Sequence, residues 1–343
     1  MRSEAGDLIN LSQEIFSTSS SNMPIKLSDE MRKSAADLSL LVVGKSLELE
    51  KNLSDAWEQK GFLLYSMKRY KEAIQCFDCV LDEDPIRQDI WMKKGNAMME
   101  IDDYDGAIAC FRMAISCCQV SEKMRVQGSN INEQKANAWL KMGNCYFNKA
   151  DINSLNENDD NSRIFDYRAD EDKAVSCYME AIKAFRNSNS SQTNSLLLLD
   201  AWMGLGNTYM ALGRYDKAIF YYNLIISQFS ASIYSPYIFD AWLNQGISEL
   251  KKADTLKGEK KDKALLRAEI CFARSAEISK PDWRSHFGQW IALHSLSKEQ
   301  EASAAFDKAV ELKGGTRLPS LKSLLDFIRS LSARFAGVLG YVS

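Results

Sequence analysis

Cysteine and histidine are the residue types here with the most chemistry to offer, and the chain holds eight of the first and two of the second. Cys76 and Cys79 have the two-residue gap of a metal or redox pair. No second pair and no clustered histidine completes a four-ligand set, so no metal site is expected. His286 and His294 stand eight apart, with no nucleophile motif and no glycine-rich phosphate loop beside them. The acidic run from Asp151 places Leu155 where a calcium loop needs a third ligand, and it lacks the adjoining glycine. The residues therefore predict no catalytic site, no cofactor and no metal, and the chain is read as a non-enzyme.

Composition narrows the partners. A net charge of -3 with 26% charged and 45% hydrophobic residues allows a core to be buried and argues against phosphate tracking, so nucleic acid is not expected. Only 5 Pro and 17 Gly among 343 residues leave few breakers, which predicts a mostly helical chain. Glu4, Asp7 and Glu14 interrupt the first thirty residues, and nothing approaches eighteen consecutive apolar positions. The expectation is a soluble, cytoplasmic protein that does not enter membranes.

The tryptophans reveal a repeat. Trp57, Trp91, Trp139, Trp202 and Trp242 are each followed four residues on by glycine, at Gly61, Gly95, Gly143, Gly206 and Gly246. After each comes an alanine with an aromatic four positions later: Ala73 with Phe77, Ala107 with Phe111, Ala174 with Tyr178, Ala218 with Tyr222, and Ala268 with Phe272. A short turn ending in Tyr70, Tyr104 or Tyr215 joins the two stretches. The Trp57 to Trp91 separation is 34, and Pro85 closes that copy. This pattern resembles the tetratricopeptide repeat family. The resemblance covers roughly residues 54–312 and implies an all-α, right-handed superhelical solenoid of antiparallel helix-turn-helix repeats.

The physics stands beside the family. A bulky knob and, one turn on, a glycine put a large and a small residue on one helix face, and the second helix answers with alanine and an aromatic ring. One such hairpin cannot bury both faces alone, so stacked copies are required. Cys76, Cys110, Cys177 and Cys271 each precede the aromatic, so they are equivalent points in different copies. Packed helices lie roughly 8–10 Å apart, and equivalent points are separated by a whole hairpin, beyond the reach of about 7 Å between Cα atoms that a disulfide allows. Free thiols in a reducing compartment follow. The expected organisation is a flexible N-terminal segment at 1–22 and a solenoid over 23–315. The solenoid divides into a degenerate repeat at 23–53 and further repeats near 54–87, 88–135, 136–198, 199–238, 239–281 and 282–315. Residues 151–172, rich in Asp and Glu, are expected to form a mobile acidic loop inside the fourth of these segments.

If first helices line an inner groove, as the family implies, positions two before the Trp and one, five and eight after it form its face. Five after stand Asn96, Asn144 and Asn207, whose amides both donate and accept and so suit the backbone of an extended peptide; the same amides equally suit neighbouring loops. One after stand Met92, Leu140 and Met203, and eight after stand Met99, Phe147 and Met210. These read as an adaptable peptide channel or, in part, as inter-repeat core. Glu58 and Leu243 extend the one-after set, and the absence of Lys or Arg from it argues against binding acidic chaperone tails. Two before stand Asp89, Asn137 and Asp200, which would favour a basic ligand or simply complement the helix dipole.

Residues 316–343 carry Leu318, Leu321, Leu324, Leu325, Ile328 and Leu331 at helical spacing and are expected to form an amphipathic C-terminal capping helix. The alternative is a sticky end that docks a second copy, another protein or a membrane surface. The function expected is a non-enzymatic protein-protein interaction module, an adaptor or scaffold binding a partner's peptide segment in the groove. The rival is a self-associating homo-oligomeric scaffold that uses the C-terminal helix as its main contact.

Overall fold

The computed structural model describes residues 2–19, 29–50, 53–124, 130–155, 161–187, 193–229, 231–278 and 282–314. Among the described residues there are fourteen α-helices and no strand. The chain divides into two compact units, Met1–Cys145 and Tyr146–Ser343. The first unit holds α1 (Arg2–Ser19), α2 (Asp29–Leu49), α3 (Ser54–Ser66), α4 (Tyr70–Glu83), α5 (Gln88–Met99), α6 (Tyr104–Lys123) and the start of α7 (Ile131–Leu155). The second holds the rest of α7, then α8 (Asn161–Arg186), α9 (Thr193–Ala211), α10 (Tyr215–Gln228), α11 (Ala231–Asp254), α12 (Glu259–Ile278), α13 (Trp283–Ser295) and α14 (Glu299–Leu312).

The two helices of a hairpin close on each other through one recurring contact. A Cβ added to Gly61 would lie 2.6 Å from Phe77, and one added to Gly95 would lie 2.7 Å from Phe111. In the second unit Gly206 stands in the same relation to Tyr222, and the Phe272 ring is wedged between Gly246 and Gly288. The missing side chain thus makes room for a fully buried ring, which stabilises each hairpin by roughly 1.5–3 kcal/mol in transfer free energy. Ala73, Ala107, Ala174, Ala218 and Ala268 are all fully buried beside these rings, as the small-then-large pattern requires.

The turns inside four hairpins share a backbone. Lys68, Asp102, Gly213 and Ser297 all adopt positive φ near 60–70°, and the following residue donates its N–H back into the first helix, as Arg69 does to Leu64 O at 2.8 Å. This left-handed closure ends one helix and launches the next within three residues.

Three expectations need correction. Within the N-terminal segment expected to be flexible, Arg2–Ser19 is a helix that pairs with α2, burying Ile9 with Val43, Leu47, Ala56 and Leu63, while Ser12 Oγ donates to Ser39 O at 3.1 Å. It lacks the Trp-to-Gly pattern, yet its apolar stripe packs against α2 and α3. The acidic segment 151–172 is not a loop in its described parts, since 151–155 continue α7 and 161–172 open α8. Helical geometry turns Asp170 and Glu171 inward, to 5% and 3% exposure, with Lys173 3 positions on pairing Asp170 at 2.9 Å. Finally, α7, α9 and α11 begin at Ile131, Thr193 and Ala231, ahead of the expected boundaries at 136, 199 and 239. The expected cap at 316–343 lies outside the described residues.

Candidate interaction face

Spacings of three, four and three keep the positions around each Trp on one side of a first helix. In the first unit, α5 carries Asp89 exposed, Met92 buried at 8%, and Asn96 and Met99 half-buried. On α7, Asn137 is half-buried, whereas Leu140 and Asn144 are buried. In the second unit, Phe147 is buried, Asp200, Met203 and Met210 are half-buried, and Asn207 is buried at 6%. Met92, Leu140 and Phe147 are thus buried, whereas Asn96, Met99, Met203 and Met210 keep access to solvent. Asn96 and Asn144 belong to the first unit and Asn207 to the second.

Asn207 is committed to the fold. Its Oδ1 accepts from the Tyr222 hydroxyl at 2.8 Å and from Asn244 Nδ2 at 3.1 Å, and both bonds are buried. Buried amides keep such partners because leaving them unpaired is costly. The signal was in the sequence: where Phe77, Phe111 and Phe272 have bare rings, residue 222 is a tyrosine whose hydroxyl needs a partner. Asn96, in the hairpin closed by Phe111, is the asparagine that keeps access to solvent.

Positions one and two after the Trp carry a charge cluster that inspection of single positions missed. Glu58 on α3 accepts from Arg87 Nη2 at 2.6 Å through Oε2 and from Lys93 Nζ at 2.5 Å through Oε1. Arg87 also holds Asp89, at 2.9 Å and 2.8 Å, and Lys93 approaches Asp89 at 3.8 Å. Burial works against the Glu58 charge, but the bonds from Lys93 and Arg87 outweigh it and hold its carboxyl below the usual range. Thirty-four residues separate equivalent points of these two copies, which is why Glu58 and Lys93 meet; pairing position one of one repeat with position two of the next would have found them.

In the second unit Asp200 on α9 and Asp240 on α11 stand two before their Trp, and Asp282, one before Trp283, stands at the start of α13. Asp200 hydrogen-bonds the Tyr237 side chain. Asp282 grips Arg284, with the closest contact at 2.7 Å, and caps α13 by accepting from the Arg284 N–H at 2.8 Å. Burial raises Asp240 to about 6, against the favourable Arg284 charge and aided by repulsion from Asp282. Asp282 thus serves a helix start, while Asp200 and Asp240 lie inside α9 and α11 and face neighbouring helices.

The residues with reactive potential are occupied structurally. None of the eight cysteines is in a disulfide, and burial pushes Cys76 and Cys110 up to about 11 and Cys271 to about 12, where the reactive thiolate is scarce. His286 Nδ1 lies 3.1 Å from Gln289 Oε1, and His294 stacks on Trp290. Among the described residues no group of His, Cys, Asp or Glu is arranged to hold a metal, and no helix is long and apolar enough to cross a membrane.

Family models of the tetratricopeptide repeat match residues 59–121 in the first unit and 199–228 in the second. Solved structures share the architecture. The C-terminal part of a TPR repeat-containing protein from Cytophaga hutchinsonii is 11% identical with a TM-score of 0.58, over 93% of this chain and 98% of that one. A tetratricopeptide repeat protein from Parabacteroides merdae is 11% identical with a TM-score of 0.50, over 94% of this chain and 98% of that one. No curated protein matches the sequence. The chain thus carries tetratricopeptide repeats over these residues and has the all-α helical solenoid fold of tetratricopeptide repeat structures.

Proposed function

We propose that the protein is a non-enzymatic interaction module, an adaptor or scaffold that takes a peptide segment of a partner on the open side of its first helices. The observation that supports this reading is the contrast between helices. The alanines and rings of the second helices are sealed, whereas Asp89, Asn96 and Met99 on α5 share one face and keep access to solvent. Asp200, Met203 and Met210 repeat the arrangement on α9. Each set offers an acid and one or more flexible thioethers, and α5 adds an amide, a combination that adapts to different apolar side chains while bonding a backbone. In this proposal Asn207 and Asn144 support the face from beneath, and Met92, Leu140 and Phe147 hold its shape. The tetratricopeptide fold is generally a non-catalytic interaction fold, which agrees with a binding role. The proposal places the protein in the cytoplasm, where its eight cysteines, none of them in a disulfide, would stay reduced.

The test is affinity capture from the source cell's lysate with the intact chain and with a folded Asn96→Ala/Met99→Glu variant, followed by mass spectrometry. Partners lost with the double substitution support the proposal, and their binding can then be measured with purified fragments. Partners retained in full by the variant would contradict a role for the α5 face.

A further inference from the structure

The charge cluster on the same face bears on which segments it accepts. Glu58, Arg87 and Lys93 are neither sealed nor free, with side chains 24%, 29% and 36% exposed. Both oxygens of the Glu58 carboxylate are taken by cations of the following repeat. The arrangement is that of a carboxylate bound between a guanidinium and an ammonium, and the carboxylate is the protein's own.

We propose that Glu58 is a specificity-determining residue: by occupying Arg87 and Lys93 it denies them to acidic ligands, so the first unit's face selects neutral or apolar segments. This rests on the interaction reading above. The charges support it. Glu58 and Asp89 together balance Arg87 and Lys93, and both acids are held below their usual range against their own burial. Without Glu58, Arg87 keeps its two bonds to Asp89, but Lys93 retains only the 3.8 Å approach to that same carboxylate. One positive charge is then in excess, on a partly exposed surface, where the departed carboxylate stood. A ligand carboxylate fits that vacancy, and an intact Glu58 repels it.

The experiment is fluorescence anisotropy with a labelled hexaglutamate peptide bearing a free C-terminal carboxylate, at low salt, on the full chain. Glu58→Ala and Glu58→Gln should each bind it at least about tenfold more tightly than wild type, a gain of about 1.4 kcal/mol. Adding Lys93→Met to Glu58→Ala should return binding to the wild-type level, and raising salt should weaken the gain. Thermal melts establish that each variant is folded. Equal binding by wild type, no gain in either folded variant, or a gain that survives Lys93→Met would overturn the proposal. If neither Glu58 variant folds, Glu58 is a structural clamp and the proposal falls. Capture of wild-type partners through Asn96 and Met99 reports on the interaction reading separately, since its failure leaves the hexaglutamate result to judge Glu58 alone.

Discussion

The Tyr222 hydroxyl donates to Asn207 Oδ1 at 2.8 Å inside the second unit, tying the second helix of a hairpin to the asparagine that follows its glycine. The amide most exposed to suspicion as a peptide ligand is thereby part of the framework. Tyr222→Phe should cost about 1–2 kcal/mol and Asn207→Ala about 1–3 kcal/mol, since each leaves buried polar atoms short of a partner. Asn96→Ala, at a half-buried position, should shift stability by less than about 0.5 kcal/mol. Urea midpoints of the three variants check the order.

Phe272 packs against both Gly246 and Gly288, and a Cβ at Gly288 would lie 2.5 Å from its ring. Gly288→Ala should destabilise by about 1–3 kcal/mol through overpacking. In a Phe272→Leu background the same substitution should cost clearly less, because the ring it strikes is gone. A double-mutant cycle on thermal unfolding measures the coupling, and strict additivity would show that the wedge does not carry the effect.

Asp240 has a raised folded value of about 6 against an ordinary 3.8, caused by burial first, with Arg284 opposing and Asp282 adding. A carboxyl raised on folding binds its proton more tightly in the native state, so stability falls as pH rises above the unfolded value and the loss is complete once pH exceeds the folded one. The penalty is absent below about pH 3.8, grows between about 3.8 and 6, and is full above that. Asp240→Asn should therefore be more stable than wild type by about 1–3 kcal/mol at pH 7.5, with the difference vanishing near pH 4. Denaturant titrations of both proteins at the two pH values check the sign.

Among the cysteines, Cys79 is half-buried while Cys76, Cys110, Cys117, Cys118, Cys145, Cys177 and Cys271 are buried. Maleimide labelling of the native protein at neutral pH should modify Cys79 first and leave the others until unfolding. Mass spectrometry of the peptides after a short pulse reads the order; early modification of Cys76 or Cys271 would contradict the packing described.

Much of the fold was legible because Trp, Gly, Ala and the aromatic ring form complementary large and small partners at constant register. Gly61 with Phe77 and Gly95 with Phe111 meet as the spacing required. What was less legible lacks those markers. Helix α1 carries only an apolar stripe around Ile9, and the acidic stretch entering α8 has a loop-like composition that Lys173 and a helical backbone nonetheless accommodate. The face was legible as a set of positions but not as a set of accessibilities. Whether an asparagine is free depends on the neighbouring ring, a phenylalanine at 111 and a tyrosine at 222. The Glu58 to Lys93 bridge joins different positions of adjacent copies, and comparing equivalent positions one row at a time does not reveal it.

The central claim, that partners bind the first-helix face, is tested most directly by site-specific photo-crosslinking in the source cell. A photoreactive residue is placed at Met99 or Met203, on first helices, or at Met179, which is 48% exposed on the second helix α8. The account predicts discrete adducts from Met99 and Met203, identifiable by mass spectrometry, and none of the same species from Met179. Adducts from Met179 alone would contradict it and move the binding surface to the second helices.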